Sequence, residues 1–370
     1  MTVPPDAAGE RRVLVADDSA SARRLLVEIL DRDPRLRVAG EAADGGEAVR
    51  LTEQMRPEVV LMDVLMPVLD GLAATRRIME VRPTPIVLVS AGVDSREADL
   101  SFEAIRAGAL TLLAKPDGPG SAGFPAQAAE LCTTVRLMAD VKVVRQRRRG
   151  PDQPTPAPAV PAGRAGGPTG GRTGGRTGGR PRIAAIGAST GGPAALATIL
   201  AGLPAIAPVP ILIVQHITAG FHQALADWLD GVTPMTVRLA VDGLPLRPGE
   251  VLIAPPGLHL GVSSTGRVTL STAPPVGAHR PSATHLFHSV AQAYGAAAVG
   301  VILTGMGDDG AAGLRALGDA GGLVLAQDEA SSVVFGMPRE ACATGAVDRV
   351  VPLAEMAGVL ASTWASGRRP

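Results

Sequence analysis

Two parallel α/β domains in tandem, joined by a disordered linker, are predicted from three observations. Apolar runs of strand length alternate with helical patterns along residues 11–116, and again along residues 182–327. In both halves the residue following each run is repeatedly a carboxylate, hydroxyl, imidazole or amine. Between the halves, residues 150–179 are dominated by Pro, Gly, Ala, Thr and Arg, a composition that cannot pack a core. Alternating strands and helices give parallel sheets with right-handed crossovers, and ligands bind such sheets at the C-terminal strand ends.

In the first half, Arg12-Val-Leu-Val-Ala-Asp-Asp-Ser19 is a strand running into two adjacent carboxylates, followed by a helical pattern at Ala22, Leu25, Leu26, Ile29 and Leu30. Val38 to Ala42 fits a second strand and Gly46 to Met55 a second helix. Val59-Val-Leu-Met-Asp63 ends in a carboxylate, Pro85 to Ser90 in a hydroxyl, and Leu110 to Pro116 contains Lys115. Lysine occurs only here and at Lys142 in a chain otherwise rich in arginine. A last helix is predicted over Pro125 to Gln146. The strand ends thus bring together Asp17, Asp18, Asp63, Ser90 and Lys115. Three clustered carboxylates repel one another unless a divalent cation sits among them, and oxygen ligands suit Mg²⁺. A lysine and a hydroxyl beside them complete a site for a phosphoryl group.

These motifs, with Met66-Pro67, Asp70-Gly71 and Lys115-Pro116, resemble response-regulator receiver domains over residues 11–135. The resemblance implies a flavodoxin-like five-stranded parallel sheet and makes Asp63 the phosphoryl acceptor. Asp17, Asp18 and Asp63, with the backbone carbonyl of Leu65, would bind Mg²⁺. Ser90 and Lys115 would contact the phosphoryl group. Leu112 departs from the pattern, standing where such domains usually carry a Tyr or Phe that changes rotamer on activation.

The linker is predicted over residues 149–180. Pro151 to Pro161 favours semi-extended chain, and the Gly-Gly-Arg-Thr repeats from Gly170 to Arg180 favour flexibility. No aromatic residue interleaves with these arginines, so a solvated tether is favoured over a nucleic-acid segment.

The second domain, residues 181–370, opens on Arg182-Ile-Ala-Ala-Ile-Gly-Ala-Ser-Thr-Gly-Gly-Pro193: a buried strand, a glycine turn and the start of a helix over Ala194 to Leu203. Backbone N–H groups at Thr190 and Gly191 are the candidate oxyanion donors of that turn. By itself the turn admits a nucleophile, a phosphate cradle or a helix cap at Ser189. Val209 to His216 is a strand ending in an imidazole, and Ala296 to Thr304 runs into Gly305-Met-Gly-Asp-Asp-Gly310 and a helix from Ala311. Residues 251–257 and 267–271 read as strands of a smaller, partly antiparallel excursion, and Gly322 to Gln327 as a further parallel strand. Ser189, His216 and an Asp at 308 or 309 are the set that activates a hydroxyl: the imidazole takes its proton and the carboxylate fixes the tautomer. The order Ser, His, Asp argues against an ordinary α/β-hydrolase. Gln215-His216 in place of a strand-end acid argues against a dinucleotide site.

Ile186 to Gly192, Gln215-His216, His279-Arg-Pro-Ser282, Leu286 to Ser289, Gly300 to Gly307 and Val334 to Arg339 resemble the chemotaxis protein-glutamate methylesterase family, and with the receiver and linker the resemblance covers essentially the whole chain. It implies a doubly wound, mainly parallel α/β methylesterase domain. Ser189 is then the nucleophile, His216 the base and Asp309 the acid, with Asp308 in a variable slot. Phe221, His222 and Arg339 are implied to shape the cleft. At Thr284 some relatives carry Asp, and a change in cleft polarity is expected. The implied substrate is the γ-methyl ester of glutamate on a chemoreceptor's cytoplasmic helix, with glutamine deamidation as a second reaction and a chemotaxis histidine kinase as phosphodonor. No cofactor is expected in the catalytic domain. The remaining histidines have no coherent metal-ligand spacing. The alternatives are the same hydrolase in a non-motility chemosensory pathway, or a phosphorylation-controlled binding module with an inactive triad.

Bulk properties fit this reading. The 370 residues suffice for two domains, and formal charge balances to zero, so no global field favours nucleic acid. Cys132 and Cys342 imply no disulfide framework. The first residues lack the basic-then-apolar pattern of a signal peptide and no apolar run reaches membrane length, so a cytoplasmic protein with no membrane insertion is expected.

Overall fold

The computed structural model describes residues 9–91, 95–141, 143, 180–205 and 207–366. The predicted linker lies outside the described residues except at Arg180. The first half forms β1 (Arg11–Ala16), α1 (Ala20–Leu30), β2 (Leu36–Ala42), α2 (Gly45–Met55), β3 (Val59–Asp63), α3 (Gly71–Val81), β4 (Ile86–Ser90), α4 (Ser95–Arg106), β5 (Thr111–Ala114) and α5 (Phe124–Ala139). The sheet order is β2-β1-β3-β4-β5, parallel throughout, the flavodoxin-like order expected. Central strands β3 and β4 are buried along their whole length, as unbroken apolar runs in a sheet covered on both faces must be. Side-chain caps at Ser19, Asp44 and Asp70 start α1, α2 and α3. Leu112, at the usual aromatic position, is buried in the core. The last helix is shorter than predicted: it stops at Ala139, where Asp140 caps it and donates its N–H back to Leu137.

The second half forms β6 (Ile183–Ala188), α6 (Gly192–Gly202), β7 (Ile211–Gln215), α7 (His222–Val232), β8 (Thr236–Leu239), β9 (Glu250–Ile253), β10 (His259–Val262), β11 (Val268–Ser271), α8 (Ala283–Tyr294), β12 (Ala298–Ile302), α9 (Ala311–Asp319), β13 (Leu323–Gln327), α10 (Met337–Ala343), β14 (Arg349–Val351) and α11 (Leu353–Ser366). Its main sheet runs β14-β13-β12-β6-β7-β9-β8, every pair parallel. The excursion is smaller than expected. Among the described strands only β10 and β11 pair antiparallel; β9 joins the main sheet beside β7, so residues 251–253 are a core strand. From β6 the chain builds outward through β7 on one side and returns on the other through β12. The topological switch therefore lies between β6 and β12, where the crevice at the strand ends is expected.

Helix α4 packs against α6 and α7 across the two sheets. Phe102 of α4 stacks on Trp228 of α7, centroids 5.3 Å apart at 20°. Beside them lies a cavity of about 790 Å³ lined from both halves, by Met79, Ile105 and Ala109 on one side and Ala194, Trp228 and Val333 on the other. Among the described residues no helix is long and apolar enough to cross a membrane.

Within the second half, fully buried Phe287 of α8 fills the space that three glycines leave. A Cβ at Gly187, Gly300 or Gly310 would lie 3.3, 3.7 or 3.1 Å from its ring. Those glycines cannot close the hole if the ring is lost. Phe287→Ala is expected to cost about 3–5 kcal/mol, read as a lower midpoint of the urea transition with the slope unchanged.

Candidate functional site

At the first sheet's C-terminal edge, ligand oxygens of Asp17, Asp18 and Asp63 all lie within 4.8 Å of one another. Asp17 and Asp63 are buried and Asp18 is exposed. Lys115 Nζ lies 2.8 Å from an oxygen of each buried acid. Burial, with the charge of Asp17, pushes the Asp63 carboxyl up to about 6 against the pull of Lys115. Burial opposes the charge on Lys115, but its hydrogen bonds and ion pairs with the two carboxylates raise it overall. An all-oxygen donor set of this compactness, open through Asp18, fits a hard divalent cation. Ser90 ends β4 as predicted, but its hydroxyl donates to Glu97 Oε1 at 2.6 Å, and the Ala91 N–H donates to the same oxygen at 3.1 Å.

At the second sheet's edge, the register sets Ala188 of β6 beside Gln215 of β7, so Ser189 and His216 leave neighbouring strand ends. The Ser189 N–H donates to Thr304 O, two residues past the end of β12, and the His216 N–H donates to Ala188 O. The helix-cap reading of Ser189 does not hold. Gly191, in the left-handed region at φ 78°, is the N-cap of α6, with no side-chain cap hydrogen bond. Gly191 as the N-cap and the first residues of α6 carry N–H groups that lack acceptors within the helix, and Thr190 immediately precedes them.

His216 Nε2 lies 2.8 Å from Asp309 Oδ2. Asp309 is buried, whereas Asp308 is exposed. The acid sits on the N-terminus of α8: Ala283 N–H donates to Oδ2 at 2.7 Å and Thr284 N–H to Oδ1 at 3.0 Å, and the Ser282 hydroxyl donates to Oδ1 at 2.7 Å. Burial opposes ionisation, but these donors and His216 outweigh it and hold the carboxyl well below the usual carboxylate range. Thr284 does more than alter cleft polarity, because its hydroxyl accepts from the Gly310 N–H and fastens the acid's loop to α8. With Nε2 on the carboxylate, the ring nitrogen left to serve a hydroxyl is Nδ1. It is buried and has no hydrogen-bond partner among the described residues.

A family model for the CheB methylesterase matches residues 184–360, and one for the response regulator receiver domain matches residues 13–121. A protein-glutamate methylesterase/protein-glutamine glutaminase of Myxococcus xanthus is 52% identical over 95% of this chain and 97% of its own length. The chain belongs to the CheB methylesterase family. Another member, from Anaeromyxobacter dehalogenans, is 50% identical over 92% of this chain and 95% of its own. Of solved structures, the Thermotoga maritima CheB methylesterase catalytic domain is 38% identical, covering 49% of this chain and 98% of its own, with a TM-score of 0.48. The response regulator domain of Thermotoga maritima CheB is 39% identical over 36% of this chain and 99% of its own, with a TM-score of 0.33.

In this CheB-family chain the cleft residues fall out unevenly. Phe221 is packed in the core rather than lining a cleft. His222 is buried with neither ring nitrogen hydrogen-bonded among the described residues, and burial and then the His216 charge lower it to about 4. Arg339 is exposed and pairs with Glu340. Sequence reasoning gave no role to Gln215, whose amide donates to both Ser189 O and His216 O at 2.8 Å. Gly192 has no room for a Cβ because that amide passes 1.9 Å from where it would sit. Ser282 entered the sequence reading only as part of His279-Arg-Pro-Ser282, not as a donor to an acid 27 residues away.

Ser282→Ala removes the α8 cap and one donor to a buried anion. The expected cost is about 1–3 kcal/mol at pH 7, measured by urea unfolding. Asp309 is held below its unfolded value. Its stabilisation is therefore complete above the ordinary carboxylate range and fades as pH falls below about 4. The Ser282→Ala deficit should shrink over the same acid range.

Proposed function

We propose that this chain is a phosphorylation-activated hydrolase that removes glutamate γ-methyl esters from chemoreceptor cytoplasmic helices and also deamidates receptor glutamines. Residues 181–370 act as the catalytic domain, residues 11–135 as the receiver, and residues 149–180 as the linker. The observation that carries the chemistry is the buried Asp309–His216 pair one strand from Ser189. The relatives' names supply the substrate class.

The Ser189 hydroxyl attacks the ester carbonyl while His216 takes its proton, and Asp309 stabilises the imidazolium. The carbonyl oxygen, now negative, is held by N–H groups at Thr190 and Gly191. Methoxide leaves with the proton from His216, as methanol. Water then adds to the acyl-enzyme by the same proton path, releasing glutamate and restoring Ser189. For a glutamine the leaving group is ammonia.

Asp63 accepts a phosphoryl group from a chemotaxis histidine kinase, and Lys115 and Ser90 contact it. Asp17, Asp18, Asp63 and the carbonyl of Leu65 would hold Mg²⁺, which when bound supplies positive charge against the phosphoryl oxygens. The receiver blocks large substrates when unphosphorylated. The packing of α4 against α6 and α7 supports this, since α6 starts three residues after Ser189.

The test is methanol release from methylated receptor. Ser189→Ala should abolish it. A small phosphodonor should raise the wild-type rate and leave Asp63→Asn unmoved, and deletion of residues 1–180 should raise the basal rate. Release that survives in Ser189→Ala would overturn the nucleophile; deletion that leaves the rate unchanged or lower would overturn the block.

A further inference from the structure

His216 is covered on one face by another imidazole. The rings of His216 and His279 stack face to face, centroids 4.0 Å apart and planes 4° from parallel. His279 is held where it is by its backbone, which exchanges both hydrogen bonds with Val276 at 3.1 Å. Three residues on, the chain reaches Ser282, Ala283 and Thr284, the donors to Asp309. One short segment thus fixes the plane of the base and the position of its acid. We propose that His279 is a positioning residue for the acyl-transfer chemistry, holding the His216 ring and stabilising the cation that forms on it.

The physical reason is the change in charge during the reaction. When His216 takes the serine proton, the neutral face of His279 meets a cation, an attraction absent while His216 is neutral. The effect requires His279 itself to stay neutral. Burial and the proximity of His216 lower its proton affinity, while Asp309 and Asp308 act the other way without reversing the balance. Arg280 is turned aside, with Nη1 donating to the Thr272 and Ala273 carbonyls. His222, the third imidazole of the group, is likewise kept uncharged. Only His216 of the three has the carboxylate, so the proton is directed to the one ring that can pass it on. Because this inference rests on Ser189 being the nucleophile, its test reads Ser189 directly.

The experiment follows the rate at which a fluorophosphonate probe labels Ser189 in the full chain from pH 5 to 9, for wild type, His279→Ala and His279→Phe. Methanol kcat and KM, and the urea midpoint, are measured alongside. His279→Ala should label, and turn over, roughly 3- to 30-fold more slowly, with KM held within about twofold. His279→Phe keeps a flat ring and should recover most of that rate. Wild-type rates in His279→Ala would overturn the proposal, as would a His279→Phe variant that is no faster than Ala at an unchanged urea midpoint. A wild-type chain that takes up no probe would instead overturn the assignment of Ser189.

Discussion

The carboxylate of Asp309 has left water almost completely and remains an anion because four donors have replaced it: His216 Nε2, the Ser282 hydroxyl and the N–H groups of Ala283 and Thr284. Two of those donors are the first amides of α8, which also present the positive end of the helix dipole. This one anchoring interaction determines much else. It fixes which nitrogen of His216 carries the proton and leaves the other, Nδ1, buried with no hydrogen-bond partner among the described residues. It also ties the loop after β12 to the helix that packs beneath β6.

The sheet topology explains why the three groups can meet without being near in sequence. The winding reverses between β6 and β12, the point at which such sheets open a crevice at their C-terminal ends, with β7 as the next strand. Ser189 and His216 follow directly from β6 and β7, and Asp309 from the turn after β12. The backbone there is drawn in closely: the Ser189 N–H bonds Thr304 O, and Gln215 holds the carbonyls of Ser189 and His216 together. The receiver edge shows the same physics with different groups. A lysine bridges two buried acids, and a strand-end serine is held by a glutamate of the helix that also meets α6 and α7.

The parts of this arrangement legible in the sequence were those that strand periodicity determines. Unbroken apolar runs locate buried strands, and the residue after each run lies on the functional edge whatever its neighbours are. Asp17, Asp63, Lys115, Ser189 and His216 could all be read that way, whereas strand position left Asp308 and Asp309 open and the family resemblance singled out Asp309. Contacts made through tertiary packing could not. The Ser282 hydroxyl reaches Asp309 across 27 residues, and Ser90 is turned to Glu97 by the placement of α4. Residues 251–253 carry the same apolar character in a small hairpin or a core strand, so only the sheet itself decides between them. The end of α5 was missed because its apolar pattern continues past Asp140, although the helix does not.

The central claim is that Asp309 fixes the His216 tautomer with the proton on Nε2 and leaves Nδ1 to receive the serine proton. ¹⁵N-resolved NMR of the His216 ring in the resting protein tests this most directly. The account predicts a protonated Nε2 with a low-field proton that disappears in Asp309→Asn, and an unprotonated Nδ1. A resting imidazole protonated on Nδ1, or a low-field proton that persists in Asp309→Asn, would contradict it.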